Sequence, residues 1–229
     1  MDSELPFPLP EKAPGMTLPD FVLFPHATVT FYIFEPRYRK MLAHVLQRDH
    51  LILIATKDPG RLDVDSYHAP YYPSATLGRI ESNKKNSDGS STIVVHGLAR
   101  VTAETTFQED PFRIFSIRPQ PSTSSATFPE IDKDMNHLLA LIQRRSELGD
   151  PLPSELLRAF SRINDPETLA DLAAFSLVSS TATKLKLLES LLLSRRYDIL
   201  FDYFRREIRD IELMRTLQGG LRNDYIRWN

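Results

Sequence analysis

Cysteine is absent from the 229-residue chain. That excludes disulfides and thiolate metal sites, and it suits a reducing compartment. Histidine is sparse and scattered. The six (His26, His44, His50, His68, His96 and His137) include no pair at the four-residue spacing that sets two ligands on one helical face, so no metal is expected. A basic excess is lacking too: 28 Lys and Arg against 30 Asp and Glu give a formal net charge of −2. This balance argues against an obligate electrostatic binder of nucleic acid. No apolar run approaches transmembrane length, and Met1–Lys12 is acidic and proline-broken, without the basic-then-apolar order of a signal peptide. These absences point to a cytoplasmic protein with no membrane partner.

Catalytic signatures are missing as well. There is no Gly-rich phosphate loop of the Walker type and no G-x-S-x-G. Asp63 and Asp65 stand two apart in a polar stretch, where a solvated turn accounts for them better than an acid/base pair. Asp63-Val64-Asp65 also lacks the remaining ligand positions of a calcium loop. Neither an enzymatic activity nor a cofactor is expected.

What the chain does contain is a globular composition, 41% hydrophobic and 25% charged, that changes character near residue 122. Upstream, apolar runs are short, β-branched and aromatic. Asp20–Phe24 and Thr28–Phe34 read as strands joined at Phe24-Pro25-His26. Glu35-Pro36 opens a helix, whose buried face is Tyr38, Met41, Leu42, Val45 and Leu46 and which ends near Asp49. Leu51–Ala55 is an unbroken apolar run, the pattern of a strand covered on both faces. Residues 58–73 read as a long Pro- and Tyr-rich loop. Ser74–Ser82 and Ser91–Val95 form a hairpin turned at Asn86-Ser87-Asp88-Gly89, and Lys84-Lys85 near its tip reads as an ordinary solvated turn. Gly97 marks a bulge in the strand that follows, and Phe112–Ile117 ends the β region.

Pro119–Ser125 reads as an exposed linker. Beyond it helices are expected at Glu130–Arg145, Leu152–Ile163, from Asp165-Pro166-Glu167 onward, Thr181–Leu193 and Ser194–Leu217. Asp165-Pro166-Glu167 is a strong start signal, with a capping carboxylate, proline at the first position and an acid at the positive end of the dipole. In the last helix Tyr197, Leu200, Phe204, Ile208 and Ile211 make a seam for packing in a bundle, with a dimer contact as the alternative. Arg195, Arg196, Arg205, Arg206 and Arg209 alternate with acids there. An Asp202–Arg206 pair on a solvent face accounts for that cluster. The expected division is residues 1–121 for the β part and 122–229 for the helical part, with a linker at about 119–128.

Two segments carry a family resemblance. Leu18-Pro19-Asp20-Phe21-Val22-Leu23-Phe24-Pro25 is followed ten residues later by Phe34-Glu35-Pro36-Arg37-Tyr38-Arg39-Lys40-Met41. Downstream come Leu77-Gly78-Arg79-Ile80, Asp88-Gly89-Ser90, Val94–Val101 with Gly97 and Arg100, and Asp165-Pro166-Glu167-Thr168-Leu169-Ala170-Asp171. In this order and spacing they resemble the N-terminal, substrate-binding domain of the Lon proteases. The resemblance covers residues 17–119 closely and the helices to about 215 more loosely. It implies an α+β fold, a small PUA-like β-barrel with an inserted helix followed by an α-helical bundle, in a stand-alone form without ATPase or peptidase domains.

As function it implies a non-catalytic protein-binding module, an adaptor or holdase for unfolded or tagged proteins. Its partners would be unfolded or extended polypeptide segments, along a sheet edge or in a groove, and a protease or chaperone. Tyr67, Tyr71 and Tyr72 of the Pro/Tyr-rich loop are the candidate peptide-binding surface. Phe24, Pro25, Phe34, Glu35, Pro36, Arg37, Tyr38, Met41, Gly97 and Arg100 read as determinants of the fold. The rival reading is an RNA-binding PUA-like module, against which the acidic balance weighs.

Overall fold

A computed structural model describes residues 9–60, 70–124 and 127–220. The first strand is not Asp20–Phe24 but Lys12–Leu18 (β1). Proline and glycine at positions 14 and 15 hide that strand from a propensity reading. Gly15 is needed there, because a Cβ would lie 2.7 Å from the Leu53 backbone oxygen. Val22, Leu23, Phe24 and Pro25 are buried nonetheless, as an irregular connection. Side chains take up its carbonyls in place of a strand partner: Thr56 Oγ1 donates to Phe21 O (2.7 Å) and Thr76 Oγ1 to Leu23 O (2.6 Å).

The remaining strands are Thr28–Ile33 (β2), Leu51–Lys57 (β3), Tyr71–Lys85 (β4), Ser91–Gln108 (β5) and Ile114–Pro119 (β6). Between β2 and β3 runs the helix Pro36–Val45 (α1), which buries Tyr38, Met41, Leu42 and Val45. β1 lies parallel to β3 and antiparallel to β6, while β3–β4, β4–β5 and β5–β6 are antiparallel. Five strands therefore close on themselves. The sixth, β2, pairs only with the first half of β5, so the sheet is mixed and is not a clean barrel. β5 serves both neighbours by means of a bulge, where its register on β4 jumps from Leu77↔Ala99 to Gly78↔Gly97 and leaves Leu98 unpaired.

β3 is buried on both faces, as its unbroken apolar run predicts. Leu51, Leu53 and Ala55 point into the ring with Leu77, Val101 and Phe115. Ile52 and Ile54 point outward into a larger core, shared with α1 and the helices of the second half.

Those helices are Phe128–Leu148 (α2), Ser154–Ser161 (α3), Pro166–Leu177 (α4), Thr181–Glu189 (α5) and Leu193–Gly220 (α6). α4 starts where the sequence placed it, with the Asp165 carboxylate accepting the Thr168 N–H at 2.7 Å. On α6, Tyr197, Leu200 and Phe204 are buried in the larger core. Burial of such a side chain contributes about 1.5–3 kcal/mol. Two expectations for this helix need correction. Arg206 Nε donates to the Asp202 backbone carbonyl (3.2 Å) rather than pairing with its carboxylate. Arg196 is not on a solvent face at all, being 1% exposed. The stretch read as an exposed linker is docked over its described part: Thr123 N–H donates to Leu191 O, and Leu193 N–H donates to Thr123 O, each at 2.9 Å.

Candidate functional site

Two polar assemblies stand out, one buried and one open. The buried one lies where the ring meets the helices. Glu167 and Asp171 stand four residues apart on α4, so they share a helical face. Asp171 Oδ2 accepts from Arg100 Nη1 at 2.7 Å, and its Oδ1 accepts from Arg100 Nη2 and from Arg196 Nη1, the latter at 2.9 Å. Glu167 Oε1 lies 3.3 Å from both guanidinium groups and accepts the Ser122 hydroxyl, whose oxygen accepts from Arg196 Nη2 at 2.8 Å. β5, the 119–124 connection, α4 and α6 are thus tied at one point. Asp171, Arg100 and Arg196 have side chains only 1–3% exposed, which leaves no room for a ligand. The Nε atoms of both arginines are buried without an acceptor. An ion cluster of this kind fixes geometry more than it adds stability.

The open assembly is on β2. Val29, Phe31 and Ile33 pack toward the larger core, and Phe31 meets the Phe21 ring edge-on at 5.4 Å. The alternate residues Thr28, Thr30, Tyr32 and Phe34 face out. Tyr32 and Phe34 are 54% and 61% exposed, and their rings stack at 5.9 Å with 27° between planes. Exposed aromatics on the polar face of a strand are unusual for a closed monomer surface. Tyr32 is held in place from the hairpin: its hydroxyl donates to Asp88 Oδ2 (2.7 Å) and lies 2.8 Å from Ser90 Oγ. Hydrogen bonds from the Ser90 hydroxyl, from Tyr32 and from the Ser90 amide lower the Asp88 pKa to about 2. Beside the aromatics, the outer edge of β2 has no partner strand among the described residues. Its backbone donors and acceptors are available to an added strand.

This fold and its open edge can be set against known proteins. The family model of the ATP-dependent protease La (LON) substrate-binding domain matches residues 12–206, most of the chain. The chain belongs to this family. Its Lon relatives include the Lon protease of Desulfosudis oleivorans, 24% identical over 216 residues, and that of Xanthomonas oryzae, 25% identical over 211. These matches take in 94% and 92% of this chain but 26% and 25% of the relatives, so the chain spans about a quarter of their length. Among solved structures, the N-terminal domain of a Mycobacterium avium complex Lon protease aligns with a TM-score of 0.64 at 20% identity, covering 85% of this chain and 98% of that domain. A Lon N-terminal domain protein from Xanthomonas campestris gives 0.61 at 18%, covering 84% and 98%. The fold is that of the Lon N-terminal domains.

The residues singled out from the Lon-like motifs fall into separate places. Phe24, Pro25, Tyr38 and Met41 are buried. Tyr38 donates to Thr17 O (3.3 Å), and burial raises its pKa. Glu35 accepts from Arg37 Nε at 2.9 Å just ahead of Pro36, and the guanidinium covers the Tyr38 ring. Gly97 seats the Phe24–Ala27 turn, with two backbone bonds of 2.8 Å joining it to His26 and Ala27. A Cβ there would stand 2.1 Å from Phe24 O. Arg100 lies in the buried ion cluster, whereas Phe34 is on the surface. Of the tyrosines read as a peptide-binding surface, Tyr71 packs edge-on against Phe115, Tyr72 packs on the larger core, and Tyr67 lies outside the described residues.

Sequence reasoning missed Asp171, Arg196 and Tyr32. The i, i+4 acids of α4 and the aromatic on the polar register of β2 were the signals that could have found them. Among the described residues no cluster of His, Asp and Glu could hold a metal, and no helix is long and apolar enough to cross a membrane.

Proposed function

We propose that this chain is a substrate-recognition module of the Lon type, which binds exposed, extended segments of unfolded or tagged polypeptides in the cytoplasm and acts as an adaptor or holdase rather than a catalyst. The observation that carries the reading is the unpaired edge of β2 with the stacked Tyr32 and Phe34 beside it. An extended chain added to such an edge gains main-chain hydrogen bonds, which are blind to sequence. The aromatic pair adds contact area where few rotamers must be frozen. Membership of a family described by its substrate-binding domain supports the same reading.

The test is capture of denatured, labelled casein by the wild-type chain and by the Tyr32→Ser/Phe34→Ser variant. The variant is expected to keep its melting temperature and to bind at least about tenfold more weakly, the loss typical of a small aromatic anchor. Undiminished capture by the variant sinks the assignment to this edge. Should only RNA be retained, with a steep dependence on salt, the protein-binding role itself is wrong.

A further inference from the structure

A groove of about 500 Å³ runs between α1 and the β4–β5 hairpin. Its floor is Leu42, Ala43 and Leu46, and its rim carries Arg39, Lys40 and Lys85. The charges on this rim are left over from the fold. Some arginines elsewhere meet acids, as in Arg113–Glu109, Arg118–Glu104, Arg144–Glu212 and Arg145–Glu207. Arg39, Lys40 and Lys85 make no ion pair among the described residues. Asp88, on the hairpin beside Gly89, accepts from Tyr32 and Ser90 and makes no ion pair with the rim among the described residues.

Helix stability does not account for the rim either. Arg39 and Lys40 are the fourth and fifth of the ten residues of α1, away from the C-terminal turn where a cation is favoured. Arg39 extends over Gly89, which has φ +80° and would clash with its guanidinium, at 2.7 Å, if it carried a Cβ.

We infer that this groove takes an acidic, extended polypeptide segment, with its carboxylates on the Arg39, Lys40 and Lys85 rim and an apolar side chain on the Leu42–Leu46 floor. The inference rests on the polypeptide-binding reading above and names the substrate class that reading leaves open. Charge complementarity selects the occupant. A short acidic segment feels mainly the local cations, because charges beyond roughly 8–10 Å are screened at physiological salt. A long polyanion such as RNA also meets the field of a chain that is net negative. Its phosphates and sugars gain nothing from an aliphatic floor.

Fluorescence anisotropy of a rhodamine-labelled peptide of Glu and Ser with a central Leu pair tests this, against the same peptide with Gln for Glu. The acidic peptide is expected to bind about tenfold tighter, since each exposed charge pair adds a few-fold at most. Raised salt should erase the difference. Lys40→Glu/Lys85→Glu, both exposed positions whose folding is checked by thermal melting, should abolish or invert the preference. Equal affinity of the two peptides overturns the inference, as does a preference that survives the double substitution. Single-stranded RNA that displaces the acidic peptide and binds more tightly also overturns it, in favour of a nucleic-acid groove. If casein is still captured through Tyr32 and Phe34 while the peptides show no preference, the groove assignment fails alone. If casein is not captured either, the polypeptide-binding reading fails with it.

Discussion

The seam between ring and helices and the surface around β2 use the same residue types to opposite ends. At the seam two arginines and Asp171 are buried against one another with the partly exposed Glu167 beside them, and both carboxylate oxygens of Asp171 are taken. Around β2 and α1, two aromatics are exposed and three cations line a groove without an ion pair among the described residues. Charge matched within the chain holds elements together, whereas charge and apolar area left unmatched are available to a partner. β5 belongs to both regions: its first half pairs with β2, and past the bulge it delivers Arg100 to the seam.

The sharpest way to break the contrast is at Asp171. Asp171→Ala leaves two guanidinium groups buried with one partly exposed carboxylate between them. Removal of one partner from a buried ion cluster costs about 3–5 kcal/mol. Urea denaturation should show that loss, and it should affect capture of unfolded protein only as far as the folded fraction falls. A stable variant with lost capture would move the binding site to the seam.

Gly97 tests the passage between the two regions. In Gly97→Ala the new Cβ has to displace the Phe24 carbonyl, 2.1 Å away, and with it the turn that precedes β2. Overpacking against backbone costs about 1–3 kcal/mol. Because that turn sets the start of β2, the variant is expected to lose protection of β2 amides in hydrogen exchange before those of β3 and β4. Uniform loss of protection would mean that the edge strand and the ring unfold as one unit.

The sequence exposed the two regions unequally. Leu51–Ala55, the start of α1 and the Asp165 cap are local patterns, and each element starts where its period or cap placed it, although α1 ends at Val45, before the expected Asp49. β1 escaped because Pro14 and Gly15 speak against a strand, and only the packing of Leu53 over Gly15 explains the glycine. Asp20–Phe24 misled in the reverse direction. Its apolar content reports burial, while its hydrogen bonds go to Thr56 and Thr76, far along the chain. Arg196 had acids nearby in sequence, so local charge alternation placed it on the surface, yet its partner is on another helix. The open edge needed strand order, which a single chain's periodicity does not contain. The outward register of Tyr32 and Phe34 was there to be read.

The smallest effect expected is at Asp88, and it tests whether the edge is pre-arranged before a partner arrives. Hydrogen bonds from the Ser90 hydroxyl, Tyr32 and the Ser90 amide favour the carboxylate and hold its pKa at about 2, against an ordinary 3.8. With the folded value below the unfolded one, this contribution is complete above the ordinary pKa and is lost as the pH falls through about 2. Carboxyl NMR titration should place Asp88 near the lower value in the wild type. Ser90→Ala removes the largest cause and should bring it back toward the ordinary value, with Tyr32 losing one of its two hydroxyl partners. The Tyr32 ring should then sample more rotamers, and capture of denatured casein should weaken slightly at neutral pH, where Asp88 is ionised in both proteins. A pKa unmoved by the substitution would show that the hairpin does not hold Tyr32 through Ser90. Tyr32 would then be held from the hairpin by its bond to Asp88 alone.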